Sequence, residues 1–189
     1  MIKIGILGDI GSGKSYIAKI FGYPVFNADD EVAKLYKKDK RIFRKLKNVL
    51  PKYIYSYPIS KNEISKAVLA NKTNLKKIVK VIHHEIRKKM YVFLKKNKLK
   101  KIVILDIPLL LENKINKKND ILIFIKSESS EIIKRLKKRK NFNQELLKKF
   151  RTLQLSLDYK MKKSQFIIKN NFKKNSVKKD VKLILEKLL

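Results

Sequence analysis

Cysteine and tryptophan are absent from this 189-residue chain, and glycine, proline and histidine number only five, four and two. Without cysteine there can be no disulfide and no thiolate zinc site. Two histidines alone make any other dedicated metal cage unexpected. No apolar run approaches the roughly 20 residues of a membrane span. The opening MIKIGILG reads as a structural strand, which leaves no room for a signal peptide. Cytoplasm is therefore the expected compartment, with no membrane partner. Acid is scarce too: 16 Asp and Glu face 49 Lys and Arg, a formal net charge of +33.

Such a charge draws polyanions by counterion release, so nucleic-acid binding has to be weighed. Arginine, the usual tool for planar, bidentate reading of bases, supplies only six of the 49 basic residues. The lysines are spread along the whole chain. That distribution reads as a compositional bias on solvated faces, and no specific nucleic-acid partner is expected.

What remains is a chain for a folded globule, 44% hydrophobic and long enough for one core with inserted pieces. Ile2 to Leu7 is a short apolar run ending at Gly8, a buried parallel strand. A helix over Lys14–Phe21 and a short strand over Tyr23–Phe26 follow. Ala28 to Leu50 reads as one helix with acids at its start, Asp29, Asp30 and Glu31. Pro51 to Pro58 breaks the pattern. Ser60 opens a second helical region, and Thr73 is placed to cap a long helix whose apolar residues recur from Leu75 to Leu94. Strands are expected over Lys101–Leu105, Ile121–Ile125 and Phe166–Ile168. Helices are expected over Ser129–Lys140 and Asn143–Lys163, with an amphipathic helix to close. Strands alternating with helices imply an α/β, doubly wound parallel sheet.

The stretch GDIGSGKSY, Gly8 to Tyr16, fits G-x-x-x-x-G-K-[ST] between a strand and a helix. Its glycines let backbone N–H groups wrap a phosphate at a helix N-terminus. Gly8, Gly11, Ser12, Gly13, Lys14, Ser15 and Tyr16 are the expected nucleotide-binding residues. Lys14 reaches the β- and γ-phosphates, and Ser15 places its hydroxyl on Mg²⁺. Asp9 is the anomaly, a carboxylate in an anion cradle. Like-charge repulsion should turn it away from the phosphates, toward solvent, a basic neighbour such as a lid Arg or Lys, or the acceptor's hydroxyl side, as a tolerated side chain and not a second catalytic base. No guanine-reading N-K-x-D occurs in a suitable position, and the small size argues against a motor ATPase. The motif and size together point to a kinase of a small acceptor.

Five further segments resemble one known family, dephospho-coenzyme A kinase, in order and spacing over nearly the whole chain. They are VFNADDEVAKLY, VIHHEIRKK, VILDIPLLLE, RLKKRKNFNQE and LQLSLDYKMKKSQFIIKNN. The phosphate loop alone is generic; IPLLLE and QLSLDYK separate this family from other small P-loop kinases. The resemblance implies a P-loop NTPase-type sheet with helical substrate-binding and lid subdomains. The inserted substrate subdomain falls at approximately 30–98 and the lid at approximately 138–163, within a single domain of 1–189. It implies transfer of phosphate from MgATP to the ribose 3′-hydroxyl of dephospho-coenzyme A, the last step of coenzyme A biosynthesis. The alternatives are an ATP-dependent nucleic-acid-binding protein and a kinase of another nucleotide-like acceptor. The expected assembly is a monomer or weak homo-oligomer.

The resemblance also assigns residues. Lys14, Asp29 and Arg139 are the expected catalytic groups. Asp29 is read as the base for the ribose hydroxyl, or else as a helix cap. Asp29, His83, Arg87, Pro108, Leu109 and Glu112 are the expected acceptor-binding residues. Asp106 sits where a Walker-B acid would hold Mg²⁺ with Ser15, or else is a turn acid before Pro108. Asn170 is expected near the adenine of ATP. The chain departs from the family pattern with Asp9 for Gly, Asn27 for Asp, Ala33 for His, His84 for Pro, Ser156 for Pro and Gln165 for Asp.

Overall fold

The computed structural model describes residues 1–140 and 142–189. Asn141, which falls inside the expected lid, lies outside the described residues. The chain forms two compact units. One comprises Met1–Asn27, Asn97–Phe142 and Arg151–Leu189; the other comprises Ala28–Lys96 and Asn143–Phe150.

The first unit is built on five parallel strands: β1 (Ile2–Gly8), β2 (Val25–Asn27), β3 (Ile102–Asp106), β4 (Ile121–Lys126) and β5 (Phe166–Lys169), in the order β2-β3-β1-β4-β5. Near-continuous apolar strands such as IVILD, buried at every position, are what a parallel sheet covered by helices requires. The helices are α1 (Lys14–Ile20), α6 (Ser129–Lys137), α8 (Leu157–Lys162) and α9 (Lys174–Leu188). Ile17 and Ala18 of α1 and Val177, Val181 and Ile184 of α9 pack with Ile4, Ile6, Ile104 and Ile123 of the sheet into one core. In register, Gly5 lies opposite Leu105 of β3 and Gly8 opposite Ile125 of β4. The phosphate loop therefore leaves the middle of the sheet, beside the end of β3.

The second unit is helical: α2 (Ala28–Lys38), α3 (Lys40–Val49), α4 (Lys61–Ala70), α5 (Lys72–Lys96) and the part of α7 (Gln144–Arg151) up to Phe150. The single helix expected over Ala28–Leu50 is two. Asp39 interrupts it in extended backbone and caps α3, accepting the N–H groups of Arg41 at 2.9 Å and Ile42. A capping box opens α4, with Ser60 accepting from the Glu63 N–H at 3.1 Å and Glu63 accepting from the Ser60 N–H at 2.8 Å. The cap expected at Thr73 is two residues earlier, where Asn71 accepts the Thr73 N–H at 2.8 Å.

In the C-terminal third, the helix expected to run to Lys140 ends at Lys137. The helical stretch expected over Asn143–Lys163 is α7 and α8, separated by a turn. Ser156 starts α8 by accepting the Tyr159 N–H at 3.2 Å, a role that the family pattern's proline could not fill in this way.

Candidate active site

The loop that leaves β1 is held by its own backbone and by the segment after β5. Gly13 adopts a left-handed conformation (φ 91°) at the start of α1, and no side chain caps that helix. A Cβ at Gly13 would lie 2.5 Å from the Asn170 Nδ2, so the position needs glycine for both conformation and space. Asn170 is buried and spends its polar ends on the protein. Its Nδ2 donates to the Ser12 carbonyl at 2.8 Å, and its Oδ1 accepts the Phe172 N–H at 2.9 Å. The Ser127 hydroxyl also donates to the Ser12 carbonyl, at 3.1 Å. Ser12 itself is fully buried, and its hydroxyl has no partner among the described residues.

Lys14 folds back over the loop and donates to the carbonyls of Asp9 at 2.7 Å and Gly8 at 3.2 Å. The ammonium is thereby kept at the cradle. Ser15 and Tyr16 open α1 with exposed side chains. Asp9 meets the expectation of a basic neighbour: its carboxylate accepts from Arg151 through both Nε, at 3.2 Å, and Nη2, and also from the Ile10 N–H at 2.7 Å.

Asp106 ends β3, buried, with Asn27 of β2 directly opposite in register. The Asn27 Nδ2 donates to the Asp106 Oδ2 at 2.7 Å. An aspartate at position 27, as in the family pattern, would set two carboxylates against each other here; the amide turns that repulsion into a hydrogen bond. Among the described residues no cluster of three or more His, Asp or Glu side chains could hold a metal by itself. That donor set still fits Mg²⁺, which keeps most of its ligands as water and nucleotide oxygens and needs only one or two from protein. Ser15 and Asp106 are the residues that would hold it.

Beyond β3, Pro108 and Leu109 are half-buried. Glu112 is tied down by Lys160, whose ammonium lies 2.8 Å from its Oε1, and by the Leu155 N–H at 2.9 Å. Lys160 is 1% exposed, and it also donates to Gln154 at 3.2 Å. A side chain this deeply buried needs such partners for its polar end. The Glu112 Oε2 is buried with no partner among the described residues. In the sequence Glu112 reads equally as a contact or a brace; the geometry shows at least the brace. Gln165, another departure, accepts the Leu122 N–H at 2.7 Å and fastens the approach to β5.

After α6, Arg139 is exposed, and with Glu131, Lys134, Arg135 and Lys138 it lines an open cavity of about 450 Å³. The Arg135 guanidinium stacks 4.3 Å over the Phe172 ring, a cation–π contact. Arg135 is legible in the sequence as sharing a helix face with Arg139, but its contact with Phe172, more than 30 residues away, carries no signal there.

In the helical unit, Asp29 is exposed in the first turn of α2. The helix begins at Ala28, so Asp29 lies inside it and is not its cap. His83 and Arg87 stand one turn apart on α5, Arg87 exposed and the His83 Nε2 buried with no partner among the described residues. Burial, and next the Arg87 charge, lower the His83 pKa, which keeps the imidazole neutral at pH 7. Glu85, between them, holds Lys45 at 3.6 Å. Ala33 and His84 are both exposed.

The dephospho-CoA kinase family profile matches residues 2–176. The chain belongs to the dephospho-CoA kinase family. A dephospho-CoA kinase of Wolbachia pipientis wMel is 35% identical over 98% of this chain and 97% of its own length. That of Rickettsia felis is 31% identical over 98% and 97%. Among solved structures, a Thermus thermophilus protein superposes with a TM-score of 0.80 at 24% identity, covering 100% of this chain and 98% of that one. A dephospho-CoA kinase from Campylobacter jejuni superposes at 0.64 with 20% identity, covering 98% and 96%. Like other dephospho-CoA kinases, this one is an ATP-using phosphotransferase, and the fold is that of the P-loop kinases.

Proposed function

We propose that the protein phosphorylates the 3′-hydroxyl of the ribose of dephospho-coenzyme A, with MgATP as donor. The observation that carries the reading is the glycine-built loop at the end of β1, with Lys14 pinned to its carbonyls, in a chain matched to the family over residues 2–176. Catalysis of this reaction is mostly positioning and charge stabilisation.

In this reading the loop N–H groups and Lys14 hold the triphosphate, with Asn170 bracing the loop from behind rather than reading the base. Asp29 orients the acceptor hydroxyl and takes its proton as the ribose oxygen bonds to the γ-phosphorus. The bond from that phosphorus to the β–γ bridging oxygen breaks, and ADP leaves. Arg139 meets charge on the phosphoryl group. Ser15 and Asp106 would hold Mg²⁺, which when bound supplies charge neutralisation between the phosphates. Arg87, cationic at the surface of α5, suits the acceptor's diphosphate. His83, neutral, offers a hydrogen bond, and Pro108, Leu109 and Glu112 shape the acceptor side. Residues 138–163 act as the lid and the helices after β2 as the acceptor-binding part.

The reaction belongs in the cytoplasm, carried out by a monomer or weak homo-oligomer. Among the described residues no helix is long and apolar enough to cross a membrane. The test is a mass-spectrometric acceptor screen with MgATP. Dephospho-coenzyme A should gain one phosphate faster than nucleoside monophosphates or shikimate. Faster turnover of any of those would replace this acceptor.

A further inference from the structure

The acid in the phosphate loop is not explained by the reaction itself. Asp9 is 7% exposed, and both of its carboxylate oxygens are engaged: Oδ1 accepts from the Ile10 N–H and the Arg151 Nε, and Oδ2 from the Arg151 Nη2. Its main-chain oxygen meanwhile holds Lys14 at 2.7 Å. One residue thus gathers two cations at the phosphate loop, lysine on its backbone and arginine on its side chain. The exposures are unequal in a telling direction. The Arg151 side chain is 38% exposed and that of Asp9 10%. An anion approaching from solvent meets the guanidinium and not the carboxylate. Of the five N–H donors on a guanidinium, the bond to Asp9 occupies two, and among the described residues three remain for another ligand.

A purely structural reading is weak. A half-exposed ion pair contributes little stability, and a carboxylate in an anion cradle works against the ligand unless it is neutralised. We propose that Arg151 is a further nucleotide-binding residue, contacting the phosphates of ATP, and that Asp9 is its positioning residue. The family pattern has Gly at position 9, so at the carboxylate of the pair this chain departs from that pattern. This inference rests on the reading that the loop binds ATP, and it is independent of the acceptor.

The test is a double-mutant cycle on MgATP affinity, measured by calorimetry with no acceptor present, with Tm recorded for every variant. Arg151→Gln should weaken ATP binding about tenfold and ADP binding less. Arg151→Lys, which keeps charge without the fork, should fall between. Asp9→Asn should weaken ATP binding about threefold in the wild-type background, where it loosens Arg151. In the Arg151→Gln background the same change should strengthen binding, because it removes an unpaired carboxylate beside the phosphates. That reversal of sign is what a mere strap between Asp9 and Arg151 would not produce. Arg151→Gln with wild-type ATP affinity, whatever its Tm, would overturn the proposal. So would an Asp9→Asn effect of the same sign in both backgrounds. A wild-type chain that binds no ATP would sink the nucleotide reading and this inference together.

Discussion

The two units hold their candidate residues in different ways. In the sheet unit the phosphate loop is built from backbone and braced by buried and part-buried hydrogen bonds: Asn170 and Ser127 hold the Ser12 carbonyl, and Gly8 and Asp9 hold Lys14. In the helical unit Asp29 and Arg87 are exposed on the surfaces of single helices. Phosphate is the same in every substrate of a P-loop enzyme, so fixed N–H groups can read it. An acceptor is particular, and side chains on helices can be exchanged without disturbing a core. The difference predicts that damage to the loop of the first unit is felt as lost chemistry with any acceptor, and that damage in the second is felt on the acceptor side, at the acceptor's hydroxyl for Asp29 and in its binding for Arg87.

The sharpest break should come at Lys14. Lys14→Ala should lower kcat about a thousandfold, some 4 kcal/mol of transition-state stabilisation, while Tm moves little because the ammonium is bound at the part-buried loop, to the Gly8 and Asp9 carbonyls, and not within the apolar core. Near-normal turnover would remove the loop from the mechanism. Next in size is Asp29→Asn, expected to lower kcat about a hundredfold with the KM for ATP nearly unchanged, as for a proton acceptor that acts in transfer. A collapse of Tm with activity per folded molecule retained would return Asp29 to a helix-stabilising role. Arg87→Ala should raise the KM for the acceptor about tenfold, near 1.4 kcal/mol, and leave that for ATP alone. Equal changes in both would blur the division between the units.

The smallest effect is on stability, and it belongs to the helical unit alone. Glu63 is buried, and burial by itself would raise its pKa. The N–H groups of Tyr55 and Ser60, with the hydroxyl and N–H of Ser56, outweigh that and bring it down to about 2. A folded pKa below the unfolded one stabilises the fold above the unfolded value, and the contribution is lost as pH falls through about 4.5 toward about 2. Denaturant titrations of the wild type and Glu63→Gln should therefore differ most near pH 7 and converge toward pH 2. A gap that stays constant with pH would contradict the assignment.

Much of this was legible in the residues. The strand, loop and helix from Ile2 to Ile20 follow from an apolar run and a motif, because both are local. The break at Asp39 was not legible, since Leu35, Ile42 and Leu46 keep an unbroken helical period across it. Asp39 acts as a cap only once the chain has turned. For Asp9 the sequence carried the kind of partner but not its number. An acid in an anion loop calls for a cation, yet Arg151 lies 142 positions away and no spacing rule reaches that far. The Glu112–Lys160 pair was hidden for the same reason, with both residues visible only as parts of separate segments. Asn27 looked like a lost carboxylate, and its bond to Asp106 needed the β2–β3 register to appear.

The most direct test of the account is the position of the transferred phosphate. The chain should be incubated with MgATP and dephospho-coenzyme A, and the product followed by phosphorus NMR and fragmentation mass spectrometry. The expected product is one new phosphomonoester, on the ribose 3′-oxygen, formed with one ADP per transfer and almost absent with Asp29→Asn. ADP release without a new ester, or a phosphate on any other oxygen, would contradict it.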